Sequence, residues 1–281
     1  MRFTKMNGAG NDFIILDCRS GAIAPEQLPA IARALCDRRM SIGADGLMAV
    51  VPAQGAADYG MLFFNSDGSR GEMCGNGARC ICRYGYEKKL AGERQRIETT
   101  AGLVTGARID RQNYRIRLPS PSVMELDVPV AVDGAAYPCA YVELGEPGKP
   151  GLPHAVVEYP GLREADEAAL FALGRSLRYH PAFARGANVN FFELTGENQV
   201  YERTWERGVE DFTYACGSGT GSVAAALTLQ GRCTGRLEAQ MRGGTLYVDV
   251  EAHGGVVENL YLTGPTIYVC EGEVLEEALR F

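Results

Sequence analysis

The chain has 281 residues, 46% of them hydrophobic and 22% charged, and Lys+Arg 28 against Asp+Glu 35 leaves a net charge of −7. That length favours two domains, each able to bury its own core, and that composition excludes a disordered chain. No apolar run approaches the roughly 18 residues that span a bilayer, and no basic run offers a surface to nucleic acid, so neither membrane nor nucleic acid is an expected partner.

The opening stretch, Met1 to Phe13, lacks the apolar segment and cleavage site of a secretory signal, so a cytoplasmic protein is expected. Strand-like runs follow at Phe13–Asp17, Tyr59–Phe64 and Arg108–Leu118. Between them, Leu28, Ile31 and Leu35 repeat at helical spacing behind Pro25, which predicts a helix over Glu26–Arg38. A second helix is expected over Ala78–Lys89. Pro119-Ser120-Pro121-Ser122 reads as a linker between domains. Beyond it come strands at Ala155–Tyr159, Asn188–Leu194 and Leu246–Val250, and helices at about Glu164–Leu177 and Gly221–Gln230. A last strand is expected over Leu262–Cys270, returning to the first domain.

The chain repeats itself. Cys74-Gly75-Asn76-Gly77 recurs as Cys216-Gly217-Ser218-Gly219, an offset of 216 − 74 = 142 residues, about half the chain. At that offset Gly10–Ile15 falls over Leu152–Val157, Phe63–Asp67 over Trp205–Val209, and Ala101–Val104 over Gly243–Leu246. A duplication predicts two similar α+β domains, 1–119 with 264–281 and 120–263, one carrying Cys74 and the other Cys216.

In each half a strand leads into the Cys-Gly turn and a helix follows, which sets the cysteine at a helix N-terminus. Amides there lack intrahelical acceptors and present the positive end of the dipole, so an anion such as a carboxylate can be held. The same field lowers a thiol's pKa toward neutrality, making it a base or nucleophile. Two such thiols facing one substrate carbon suit stereoinversion, one removing a proton while the other delivers one.

Plainer readings stand beside these. Cys18, Cys36, Cys80, Cys82, Cys139, Cys233 and Cys270 read as packing residues, and a redox role for Cys74 and Cys216 lacks a Cys-x-x-Cys pair. His154 reads equally as a satisfied polar residue near a strand start, and Glu206-Arg207 as a solvated pair. Turn formation is reason enough for Asn11, Asn65 and Asn188. Irregular cysteine spacing and only three histidines make a metal site unexpected. Of the four lysines, Lys5 is near the terminus, Lys88 and Lys89 end a helix, and Lys149 lies in a Gly/Pro loop. None suits a pyridoxal phosphate Schiff base, so no cofactor is expected.

Several motifs carry a family resemblance. Lys5-Met6-x-Gly8-x-Gly10-Asn11-Asp12-Phe13, Phe64-Asn65-x-Asp67-Gly68-Ser69 and Cys74-Gly75-Asn76-Gly77-Ala78-Arg79-Cys80 resemble the diaminopimelate epimerases. So do Glu206-Arg207-Gly208, Ala215-Cys216-Gly217-Ser218-Gly219 and Leu262-Thr263-Gly264-Pro265. The resemblance implies two pseudo-symmetric α/β domains, each a curved, mostly antiparallel sheet around a central helix, with the active site in the cleft between them. It implies a cofactor-independent isomerase that interconverts LL- and meso-diaminopimelate for lysine and peptidoglycan synthesis, often as a homodimer. By that resemblance Cys74 and Cys216 are the acid/base thiols, and Gly75, Asn76, Gly217 and Ser218 hold the reacting carboxylate. Asn11, Asn65, Asn188, Glu206 and Arg207 contact the substrate, Arg207 at its distal carboxylate, and His154 and Glu206 support the chemistry.

Three departures bear on substrate choice. Leu152 stands where the family commonly has Asn, Gly46 where many members have Gln, and the stretch between Arg207 and Cys216 is one residue longer than in many members. A related two-thiol racemase for another amino acid, such as histidine, is the alternative they raise. A non-catalytic thiol-redox or anion-binding protein is the reading from another class.

Overall fold

A computed structural model describes residues 1–71 and 74–279. It divides into two compact units, Met1–Ile116 with Thr263–Phe281, and Arg117–Leu262. Arg280 and Phe281, the end of the expected first domain, lie outside the described residues.

In chain order the first unit holds β1 (Arg2–Gly8), β2 (Asn11–Asp17), α1 (Leu28–Cys36), β3 (Gly46–Val51), β4 (Tyr59–Asn65), β5 (Arg70–Gly71), α2 (Gly75–Glu87), β6 (Arg94–Thr99), β7 (Gly102–Arg108) and the start of β8 (Asn113–Leu118). The second holds β9 (Pro121–Val132), β10 (Ala135–Leu144), β11 (Leu152–Glu158), α3 (Glu167–Arg178), β12 (Asn188–Gly196), β13 (Gln199–Glu206), β14 (Asp211–Thr213), α4 (Gly217–Leu229), β15 (Leu237–Met241), β16 (Gly244–His253) and most of β17 (Val256–Pro265). β18 (Ile267–Glu273) belongs to the first unit, paired antiparallel with β1.

The two units pair their strands alike. β1–β2 is antiparallel, β2–β3 parallel, β3–β4 antiparallel and β4–β6 parallel. β10–β11, β11–β12, β12–β13 and β13–β15 repeat that order. Parallel neighbours need a crossover, and each crossover is a helix: α1 and α2 in one unit, α3 and α4 in the other. The result is a mixed α/β fold whose sheets are mostly antiparallel.

α2 and α4 are the helices that the strands enclose. Residues Asn76–Gly85 of α2 are all buried, packed on β1, β2 and β7. α4 is built almost wholly of Gly, Ser, Thr, Ala, Val and Leu, and β9–β12 and β16 pack on it. Small side chains let strands approach the helix closely, and a glycine inside a helix is tolerated where a Cβ would collide. A Cβ on Gly219 would fall 2.1 Å from Asn190 Oδ1. α1 and α3 lie on other faces, closing cores such as Leu16, Leu28, Leu35 and Leu47, and Leu170, Leu177, Phe191 and Trp205.

Four expectations on elements are corrected. The run Arg108–Leu118 is two strands, because Asp110 Oδ1 accepts from the amides of Gln112 and Asn113, both at 2.8 Å, and turns the chain. Leu262–Cys270 is likewise divided, at Thr266, after a proline that cannot donate to a ladder. Pro121 opens the long strand β9 instead of lying in a linker. Finally, α2 and α4 start earlier than their sequence patterns suggest, at Gly75 and Gly217, because the burial of the helices as a whole outweighs the poor helix propensity of their opening glycines.

Candidate active site

Each unit carries the same turn. Cys74 is the N-cap of α2, with φ −120° and ψ 123°, and Cys216 the N-cap of α4, with φ −120° and ψ 103°. Ala78 N–H donates to the Cys74 carbonyl at 2.7 Å, and Thr220 N–H to the Cys216 carbonyl at 2.9 Å, closing the first turn of each helix. The Cys216 sulfur takes a hydrogen bond from the Gly219 amide in the first turn of α4. The amides that open each helix have no carbonyl one turn back to bind, so both turns are suited to an anion.

In the first unit, Asn76 is buried and donates through Nδ2 to Asn11 Oδ1, while its own Oδ1 accepts from Arg79 Nη2 at 2.8 Å. Asn11 Nδ2 donates to Asp45 at 3.2 Å. Cys74, Gly75, Asn76 and Asn11 thus share one end of α2. Asn65 ends β4, two strands from Asn11 by way of β3, and donates to Ser69 Oγ at 2.9 Å. Arg79, to which the sequence reading gave no role, is wholly buried, and burial pushes its guanidinium down to about 10. It interacts electrostatically with Cys80, Cys74 and Cys82.

The second unit brings its residues together more tightly. His154 and Asn188 face each other across the parallel β11–β12 pair. Asn188 donates to Pro153 O at 3.2 Å and accepts from Arg207 N–H at 2.8 Å. Glu206 ends β13 within electrostatic reach of the Cys216 sulfur, and Ser218 Oγ lies 3.5 Å from that sulfur. One expectation is overturned here. Burial pushes the Cys216 thiol well up, Glu206 adds to the rise, and the hydrogen bonds from Ser218 and the Gly219 amide, which lower it, do not offset this. A thiol held this way is protonated at neutral pH.

Burial, with Arg207 adding, holds His154 down to about 3. Behind it lie three residues that the sequence reading missed. Asn190 Nδ2 is 3.2 Å from His154 Nδ1, Thr204 Oγ1 donates to Asn190 Oδ1 at 3.0 Å, and Glu202 Oε1 is 3.3 Å from the same hydroxyl. Glu202 is fully buried, and burial raises it to about 8. The spacing of Glu202 and Thr204 on one face of a strand was the available signal, but it does not say which face is covered.

These shifts set a stability profile. His154, depressed from 6.5 to about 3, removes stability as pH falls from 6.5. Glu202, raised from 4.5 to about 8, removes stability as pH rises from 4.5 through 8. Each limb has a limiting slope of about 1.4 kcal/mol per pH unit. Urea unfolding at a series of pH values is expected to lose the acid limb in His154→Gln and the alkaline limb in Glu202→Gln. Unchanged limbs in both variants would show that neither group carries the linkage.

The positions where the sequence was expected to depart from the family have the following surroundings. A Cβ on Gly46 would lie 2.6 Å from the Phe63 ring and 2.7 Å from the Phe64 carbonyl, leaving no room for a longer residue without repacking. After Arg207, Gly208 (φ 92°) and Glu210 (φ 57°) turn the chain toward the short strand β14. Leu152 opens β11 with its side chain partly exposed. Among the described residues, no three His, Cys, Asp or Glu side chains gather where a metal ion could be held. No helix among them is long and apolar enough to cross a membrane.

The same fold is found in solved structures of other proteins. It matches a Bacillus anthracis phenazine biosynthesis protein of the PhzF family with TM-score 0.73 and 16% identity, covering 98% of this chain and 99% of that one. A probable proline racemase from Agrobacterium radiobacter matches with TM-score 0.68 and 18% identity, over 98% of this chain and 93% of that one. The sequence profile described as diaminopimelate epimerase matches residues 3–117 and 149–269. Diaminopimelate epimerase of Desulforudis audaxviator is 37% identical over 97% of this chain and 99% of its own length. That of Archaeoglobus fulgidus is 35% identical over 99% and 98%. The chain belongs to the diaminopimelate epimerase family, and it is an isomerase with a small amino-acid substrate.

Proposed function

We propose that the protein interconverts LL- and meso-2,6-diaminopimelate by two-base proton transfer between Cys74, Cys216 and the substrate α-carbon. One sulfur, as thiolate, takes the α-proton; the other, as thiol, delivers its own proton to the opposite face of the carbanion. The reverse reaction exchanges their protonation states. The observation that carries this reading is the duplication of one feature: a cysteine at the N-cap of a buried, glycine-opened helix in each unit. Burial keeps Cys216 protonated at neutral pH, which suits it to be the donor in the resting enzyme.

In this reading the amides of Gly75, Asn76, Gly217 and Ser218 hold the reacting carboxylate and spread the charge that builds up at the carbanion stage. Asn11, Asn65, Asn188, Glu206 and Arg207 position the rest of the substrate, Arg207 taking the distal carboxylate, and His154 stands beside the reacting centre. The protein works in the cytoplasm, in lysine and peptidoglycan precursor synthesis, as a homodimer, with no cofactor, metal, membrane or nucleic-acid partner.

Proton NMR of LL-diaminopimelate in D2O, with reduced enzyme freed of metal and pyridoxal phosphate, is the test. The expected result is loss of the α-proton signal as the meso form appears. Folded, reduced enzyme that leaves LL-diaminopimelate unchanged would overturn the proposal and direct attention to Leu152 and to amino acids with a single carboxylate.

A further inference from the structure

We propose that Asn190, held in place by Thr204 and Glu202, fixes His154 as the tautomer with its hydrogen on Nε2, so that this histidine meets the substrate as a neutral hydrogen-bond donor and not as a base. The inference rests on the reading above for the place of His154 at the reacting centre; the tautomer itself follows from the hydrogen bonds of the second unit alone.

The backbone carbonyl of Ala155 can only accept, and it lies 3.1 Å from the Asn190 side chain, so the amide group facing it is Nδ2. Asn190 Oδ1 then points the other way, where it accepts from Thr204 Oγ1 at 3.0 Å. With the amide oriented from both ends, the second hydrogen on Nδ2 faces His154 Nδ1 at 3.2 Å. Nδ1 must therefore accept, and in a neutral ring the one hydrogen is left on Nε2. Nε2 is buried and has no hydrogen-bond partner among the described residues, and an unmet buried donor is a costly group unless a ligand supplies the acceptor.

The far end of the chain sets the direction of the near end. The Thr204 hydroxyl has one hydrogen and two acceptors in reach, Asn190 Oδ1 at 3.0 Å and Glu202 Oε1 at 3.3 Å; given to the nearer, it leaves the Glu202 contact to a hydrogen on the carboxyl. Thr220, also beside Glu202, has committed its own hydrogen to the Cys216 carbonyl at 3.0 Å. With both hydroxyl hydrogens committed elsewhere, neither stabilises a carboxylate at Glu202, and the one hydrogen of the protonated acid serves the Thr204 oxygen. Among the described residues no cation offsets its burial. Arg203, the next residue, points to the opposite face of β13, where it pairs with Glu167 at 2.7 Å. The titratable group facing Glu202 from α4 is the Cys216 thiol, and Glu206 lies further along β13. Arg207 is the charge nearest His154.

The experiment is long-range 1H–15N NMR of the full-length, 15N-histidine-labelled protein, with His154 assigned by its absence in His154→Gln. At pH 6.5 the expected pattern is an unprotonated Nδ1 and a protonated Nε2. Asn190→Asp, which can only accept from the ring, is expected to move the hydrogen to Nδ1 and lower kcat at least tenfold, with KM changed less than threefold. Should that variant fail to fold, Asn190→Ala, which leaves Nδ1 without its donor, is expected to give a mixture of tautomers. In the wild-type chain the Nδ1 resonance should move as pH rises through about 8, when Glu202 ionises and turns the Thr204 hydroxyl round. Glu202→Gln, whose amide donates at every pH, should show no such movement. A protonated Nδ1 in the wild-type protein at pH 6.5 would falsify the proposal, and so would an identical alkaline movement in Glu202→Gln. Because the tautomer is read without substrate, a chain inactive on LL-diaminopimelate but showing this pattern would reject the function and leave the tautomer assignment standing.

Discussion

Serine in place of either Cys74 or Cys216 is expected to lower kcat for epimerisation of LL-diaminopimelate by about 10²- to 10⁴-fold, the usual contribution of one positioned acid or base. The reason is chemical more than steric. A hydroxyl nearly matches a thiol in shape but ionises far less readily, so it can neither hold the negative charge between turnovers nor take the α-proton. Both sites should tolerate the change structurally. Cys216 is buried next to Ser218 Oγ, which offers a new hydroxyl a partner, and Cys74 is only partly buried. Circular dichroism and thermal melting should therefore remain close to wild type while racemisation collapses. A serine variant at either position with wild-type turnover would remove that residue from the mechanism. Intact activity in both would return the two thiols to packing or redox roles.

The second large effect is expected from one added methyl group. Gly219→Ala would bring a Cβ to 2.1 Å from Asn190 Oδ1, in a place closed on one side by β12 and on the other by α4 itself. Either the helix or Asn190 must shift. Overpacking of this kind costs about 1–3 kcal/mol, and here it also disturbs the amide that orients His154. A fall in melting temperature of several degrees is expected, together with a drop in kcat. Gly77 occupies the corresponding place in α2, since 219 − 77 = 142, and is the control. A Cβ there meets the flexible end of Met48 at 3.3 Å and the Phe13 ring at 3.4 Å. A helical alanine gains up to about 1 kcal/mol over glycine, so Gly77→Ala should melt near the wild-type temperature. Equal melting temperatures for the two variants would show that α4 can move away from β12 at little cost.

How far the molecule could be read from its sequence differs from element to element. The duplication was legible because the turns that carry it use residues with narrow backbone or chemical roles, Cys and Gly above all. Structure extends the same offset to whole elements. α2 and α4 start at 75 and 217 and end at 87 and 229, so both ends differ by 142; β3 and β12 start at 46 and 188, again 142 apart. The break at Asp110 had a sequence signal that the reading passed over: four polar residues, Asp110 to Asn113, separate Ile109 from Tyr114, Ile116 and Leu118 and put the apolar positions out of phase.

The candidate site divides in the same way. Cys74, Asn76, Asn11, Cys216 and Asn188 could be singled out from motif and offset, because each sits where a strand ends or a helix begins. Asn190, Thr204 and Glu202 could not. They lie in the middle of β12 and β13, and in a strand every second residue faces one side whatever covers that side.

Sequence by itself determined that this is a duplicated α/β chain with a thiol at the mouth of a helix in each half, because glycine patterns, strand alternation and spacing are local and survive without knowledge of neighbours. Tertiary structure alone decided the charge states that the chemistry depends on. A helix N-terminus favours a thiolate at Cys216, yet closure by the surrounding strands strips away water and reverses the outcome. The same closure leaves His154 neutral and Glu202 protonated. Desolvation is a property of everything packed around a group, and no window of sequence contains it.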